Sequence, residues 1–170
     1  MAYESKYAAQ FIIDALKKIH DVTTDPIRVA LMNTTWRTDW AELTSFDPEN
    51  DSVWSDVSAY EIAGGNGYTA ITTGNTGGIL ITPIAVSAAI VSTNVIISLT
   101  TTAPTIATWT ATGGTMATTG GAVFMQYNTT TPADSRIILA SNFGADYSTE
   151  VGKMFRIDLT NGLAKASIVL

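Results

Sequence analysis

The chain has 170 residues, a net charge of −6 and a pI near 4.5. That length suits one domain with a proper core and leaves little room for two. The negative balance, with no basic stripe, argues against nucleic acid as a partner; charged residues make up only 14%, and the absence of cysteine leaves no disulfide framework or thiolate zinc site.

The opening residues carry an acid early and lack the apolar run of a signal peptide. From Glu4 to His20 the spacing predicts an amphipathic helix, with Ala8, Phe11, Ile12, Ala15, Leu16 and Ile19 on one face. Ser5 is its expected N-cap, and Lys17, Lys18 and His20 suit its C-terminal end. Residues 1–24 are therefore read as helix and linker, and residues 25–170 as a single β domain. Phe11, Ile12, Leu16 and Ile19 are the candidate contacts with other subunits; the alternative is that this face covers one end of the domain.

Asp25-Pro26 closes the helix and launches a strand, Ile27 to Met32. Residues 33–60 read as a long loop carrying Trp36, Trp40, Phe46 and Trp54. Rings in a polar loop pin it to the body of a domain; Trp36, Trp40 and Trp54 are also the candidate platform for stacking on sugars. Asp47 to Asp51 opens like a calcium loop, but Ser52 and Ser58 stand where the glycine and the bidentate acid belong. A turn of solvated acids is expected there, and no metal is assigned. Gly64-Gly65-Asn66-Gly67 reads as a tight turn; with no Lys-Ser or Lys-Thr after it, it is no phosphate loop.

The 72 residues from Ile62 to Ala133 contain no Asp, Glu, Lys or Arg. Ile79 to Leu99 is apolar enough to raise the question of a membrane span. Pro83, Ser87, Ser92, Thr93 and Asn94 interrupt it and its large side chains alternate, so strands are expected and no membrane partner. Ile84 to Ile90 and Val95 to Leu99 flank a turn at Ser92-Thr93-Asn94. Thr105 to Ala111, Ala122 to Tyr127, Arg136 to Phe143, Lys153 to Leu159 and Ala164 to Leu170 follow, with Gly113-Gly114 and Gly120-Gly121 as punctuation. Short strands between turn signals predict a mainly β chain, an antiparallel sandwich or jelly-roll-like domain behind the N-terminal helix.

Chemistry finds little to work with. There is no cysteine, and the only histidine, His20, stands at the end of the amphipathic helix, where a surface or capping role is expected; the pair Asp56 and Glu61 has no supporting motif. No catalytic residue, cofactor or enzymatic activity is expected. The uncharged run gives up the protection that charges afford to exposed strands, and subunit interfaces are short of charge at their centres. A surface buried against identical copies is expected, with a Thr-rich but ordinary sheet as the alternative.

The order of motifs is Asp25-Pro26-Ile27-Arg28-Val29-Ala30-Leu31, then Ser55-Asp56-Val57 to Glu61, then Gly65-Asn66-Gly67-Tyr68. Trp109, Ala122 to Tyr127, and Asn142-Phe143-Gly144-Ala145-Asp146 follow. This order resembles a broad family of small virion structural proteins of tailed bacteriophages, cyanophages among them, from about Asp25 onward. The resemblance implies a β-sandwich on the particle, made in the host cytoplasm, with no catalytic or metal residues. A capsid decoration protein, a homotrimer contacting itself and the major capsid protein, is the first expectation. A tail, fibre or head–tail connector subunit is the alternative, and the aromatic loop adds a receptor- or glycan-binding module as another. A longer Ile79–Leu99 segment, a longer N-terminal helix and one extra residue between Glu61 and Tyr68 depart from the pattern and leave the station on the particle open.

Overall fold

The N-terminal segment begins as strand β1 (Glu4–Tyr7) and becomes helical only at α1 (Ala9–Leu16). The computed structural model describes residues 3–17, 26–71, 77–81, 84–91, 94–101, 106–158 and 164–169. The helix expected from Glu4, and the N-cap role of Ser5, are corrected by three contacts. Glu4 Oε2 accepts from the Trp40 indole N–H at 2.8 Å, the Lys6 ammonium stands 4.7 Å from the Trp40 ring centre, and the Ser5 and Ser141 hydroxyls bond at 2.8 Å. Alternating sides of an extended chain can make all three. Helix propensity, a few tenths of a kcal/mol per residue, is outweighed. Lys18, Ile19 and His20 lie outside the described residues.

β2 (Ile27–Met32) is buried along nearly its whole length, as its aliphatic run requires. The loop expected over residues 33–60 is instead partly helical. α2 (Thr34–Thr38) is capped by Asn33, whose Oδ1 accepts from the Trp36 N–H at 3.0 Å. A 3-10 turn at Trp40–Glu42, α3 (Trp54–Val57) and a second 3-10 turn at Ser58–Tyr60 follow. Such one-turn helices carry no long periodicity for a sequence to display.

The remaining strands are β3 (Ile79–Ile81), β4 (Ile84–Val91), β5 (Asn94–Thr101), β6 (Ile106–Thr110), β7 (Met116–Gln126), β8 (Arg136–Thr149), β9 (Met154–Asp158) and β10 (Ala164–Val169). The chain is thus mainly β, and every pairing among the described residues is antiparallel. A five-stranded sheet runs β1-β8-β7-β2-β3; β10-β5-β4 and β6-β9 form two smaller ones. The expected strand ends Thr105, Leu159 and Leu170, and Ser92-Thr93 of the expected turn, lie outside the described residues, whereas Asn94 already begins β5.

Gly120 and Gly121, expected as punctuation, lie inside β7. A Cβ on Gly121 would stand 2.3 Å from the Ser141 carbonyl oxygen and 2.4 Å from two atoms of the Trp36 indole; one on Gly120 would stand 2.8 Å from Arg37 Cβ. The glycine pair is the seat of α2. Trp36, Trp40 and Phe46 are fully buried there with ring centres 5.5–6.1 Å apart, and the Trp36 indole N–H donates to the Ser141 carbonyl at 3.0 Å. Each buried indole removes roughly 200 Å² from water, an upper bound of about 5 kcal/mol.

Gly121→Ala is expected to cost about 2–3 kcal/mol, because backbone on one side and a packed indole on the other cannot both retreat. Gly64→Ala, whose Cβ would meet nothing nearer than 3.6 Å, is expected to stay within about 0.5 kcal/mol. Denaturant unfolding of both variants measures the difference.

Candidate functional site

β8 does not stop after Phe143, as expected of the glycine at 144, but bends there. Between the pairs Gly121–Asn142 and Thr119–Tyr147, β7 advances two residues while β8 advances five. The extra residues form a bulge, a device that re-aims side chains. Gly144 supplies its left-handed turn at φ 76°, and the Asn142 side-chain oxygen accepts the Gly144 N–H at 2.8 Å. Asp146, at the far side of the bulge, forms a two-pronged ion pair with Arg37 of α2, with distances of 2.7 and 3.0 Å. Hydrogen bonding and charge from Arg37 hold the Asp146 carboxyl below the usual carboxylate range.

The bulge carries Phe143 and Tyr147 into a groove against β9, on the opposite face of the sheet from Trp36. The groove has a volume of about 520 Å³ and is lined by Tyr3, Phe143, Tyr147, Met154, Phe155 and Arg156, among others. The ring centres of Phe143, Tyr147 and Phe155 form a triangle with sides of 5.9, 6.2 and 6.3 Å, and no two of these rings stack face to face. Tyr147 remains 46% exposed and Met154 60% exposed. On this stretch of β8 four successive residues, Ala145 to Ser148, face solvent, where the first half of the strand is core.

Behind the groove a second set of rings holds the wall in place. Phe155 packs on Trp109 at 6.0 Å, and Trp109 on Tyr68 at 6.4 Å. The buried Tyr68 hydroxyl donates to Glu61 Oε1 at 2.7 Å and accepts the Leu31 N–H at 3.1 Å; the same Glu61 oxygen takes the Ile71 N–H at 2.6 Å. Glu61 therefore ties the glycine turn to β2. The turn also needs its glycines: a Cβ on Gly67, at φ 96°, would stand 1.9 Å from the Thr110 carbonyl oxygen.

The residues singled out in the sequence fall elsewhere. Trp36, Trp40 and Trp54 are buried; they are anchors, as rings in a polar loop are expected to be, and offer no ring face to a sugar, which corrects the alternative of a platform. Phe11 and Ile12 do not share a face. Phe11 is buried with Ala8 and Asp14, whereas Ile12 and Ile13 are each 43% exposed. Ile19 and the side chain of Leu16 lie outside the described residues. The Asp47 carboxylate takes the Glu49 N–H at 3.0 Å and the Asn50 amide at 2.6 Å, and Asp51 takes the Asp47 N–H at 2.7 Å. Asp56 caps α3, accepting the Ser52 and Val53 N–H groups at 2.9 and 3.0 Å. Among the described residues no group of three or more His, Asp or Glu side chains could hold a metal ion, and no helix is long and apolar enough to cross a membrane.

Sequence reasoning passed over Tyr3, Tyr147, Met154, Phe155 and Arg156. The available signal was a glycine inside a strand pattern next to aromatic residues, which marks a bulge. No protein-family model matches this chain, and comparison with curated proteins and with solved structures finds no match.

Two phenols in this region resist ionisation. Burial pushes Tyr7 up to about 12; burial and the neighbouring Glu61 carboxylate push Tyr68 well above its ordinary 10. A folded pKa above the unfolded one gives stability that is complete below pH 10 and lost as pH rises through the folded value. Equilibrium unfolding against pH is expected to show a decline beginning near 10, shallower in Tyr7→Phe. At neutral pH, Tyr68→Phe is expected to cost about 1–3 kcal/mol, since it strips a partner from both Glu61 and the Leu31 N–H.

Proposed function

We propose that the chain is a structural subunit of a tailed-phage virion, a capsid decoration protein that works by packing against copies of itself and against the major capsid protein. The observation that carries this reading is the absence of charge from Ile62 to Ala133, combined with the register of the small sheet. Its alternate rows read Val86–Leu99–Ala164, Ala88–Ile97–Ala166 and Ile90–Val95–Ile168, without a polar residue, while the row between the first two reads Ser87–Ser98–Lys165. Rows of this composition suit a surface that is covered in the working state.

The antiparallel sheets are compatible with a sandwich, of which a jelly-roll-like arrangement is the finer form, and the order of motifs resembles that of phage virion proteins. In this reading the protein is a homotrimer on the capsid surface. It binds only the assembled shell, and so stabilises that state by mass action; the many equivalent sites add avidity to each weak contact. Eleven of the fifteen acids precede Ile62, which puts the better-solvated pole in the N-terminal part.

The direct test uses heads of the phage that encodes the chain, prepared without this protein. Added back, the purified protein is expected to co-sediment with the heads and to raise the temperature at which they release DNA. Heads that neither bind it nor change their release temperature would contradict the proposal.

A further inference from the structure

We infer that three copies of the chain join edge to edge, β10 of one copy pairing with β4 of the next, and that their small sheets so close into a nine-stranded barrel. This interface presupposes the homotrimer proposed above and names where its copies meet.

A strand at the edge of a sheet presents a row of unpaired backbone N–H and C=O groups, a template for another strand. The five-stranded sheet blunts both of its edges. β1 is four residues long and carries Glu4 and Lys6, and β3 is only three residues long. The β10-β5-β4 sheet does neither. β4 and β10 are its edges, and among the described strands each pairs only with β5. β4 runs eight residues with no charge and no proline, and β10 six residues with Lys165 as its one charge. Both registers with β5 are unbroken, so no bulge turns either edge aside. Edges of this length and composition call for a strand as their occupant.

A second copy supplies one. β4 and β10 are each antiparallel to β5, so they run parallel to each other. Rotation about an axis along the strands keeps their direction and brings β10 of one copy beside β4 of the next as a parallel pair. The same rotation keeps the apolar rows of every copy on one side. Contacts between unlike edges either close into a ring or run on as a filament, and closure abolishes edges altogether.

Strand number then sets the count. A barrel of about eight strands has an interior that side chains just fill. Three copies of a three-stranded sheet give nine strands, with the apolar rows inside; two would give six and four would give twelve. A strand donated by another protein is the other candidate occupant. It would satisfy one edge and leave its counterpart bare, whereas identical copies satisfy β4 and β10 with a single kind of contact.

The chain has no cysteine, so a pair of introduced thiols reports on this contact alone. Ala89, Ile96 and Ser167 share a row on the face opposite the apolar rows. Within one copy Ala89 and Ser167 stand two strand spacings apart, roughly 10 Å, beyond the roughly 7 Å that a disulfide can span. A bond between them therefore joins two copies. To cover the offsets that keep the faces matched, Ser167→Cys is combined in turn with Ala85→Cys, Ser87→Cys, Ala89→Cys and Val91→Cys in the full chain. Each variant is oxidised and resolved without reductant, and its mass is measured by sedimentation. One pair is expected to give a covalent ladder that ends at three chains, with the sedimenting mass unchanged. Ser167→Cys with Ile13→Cys, exposed on α1, is the control and is expected to give none. A trimer in which none of the four pairs cross-links would overturn this interface and leave the homotrimer standing. A monomer without a ladder would overturn both. Efficient cross-linking of Ala89→Cys or Ser167→Cys alone would mean like edges paired across a two-fold axis, and a ladder past three chains an open filament; either result contradicts the barrel.

Discussion

The Trp36 indole lies against the backbone of β7 because position 121 has no side chain, and its N–H reaches the Ser141 carbonyl of β8. Much of the molecule hangs on that contact. It seats α2 on the sheet, and α2 in turn places Trp40 beneath Glu4 and Lys6, whose contacts with it add to the backbone pairing of β1 with β8. It also places Arg37 where it can reach Asp146 and fix the β8 bulge. Roughly 200 Å² of indole surface buried at each tryptophan is worth far more than the surface ion pair by itself, which solvent and salt screen. The pair sets direction; the indoles supply the stabilisation.

The two faces of the main sheet therefore do different work. One is closed by the tryptophans and Phe46. The other is closed over part of its area by Trp109, Tyr68 and β9, and opens beside the bulge, where β8 leaves its regular pairing with β7. A bulge costs ladder hydrogen bonds and exposes aromatic surface. That this one is braced by an ion pair, a side-chain cap and a glycine at positive φ is the argument for treating the groove as a built feature of the fold.

The strands with strong alternation were legible in the sequence. Ile27 to Met32 reads directly as β2, and the β4–β5 hairpin and β6, β9 and β10 fall close to their expected spans. β1 was not legible, because Glu4 to Tyr7 continues a helical pattern and only distant partners, Trp40 and Ser141, draw it into a strand. The glycines misled for a physical reason. At 120, 121 and 144 they mark close approach and a bulge within strands, where composition alone suggests the ends of strands. The aromatic loop was legible as an anchor, but the place of the anchor was not: Trp36 packs on the glycine seat and Trp40 packs on Trp36, a seat that local sequence does not display. The groove was the least visible, since Tyr3, Tyr147 and Phe155 come from distant segments that meet only through the register of β1, β8 and β9.

The central claim is that the apolar rows of the β10-β5-β4 sheet are covered in an assembly. Sedimentation velocity on the full-length protein over a range of micromolar concentrations tests it most directly. The account predicts a stable oligomer, a trimer, whose mass does not fall on dilution. A monomer that stays soluble and monodisperse across that range would contradict it, because the apolar rows of the small sheet would then be ordinary surface in water.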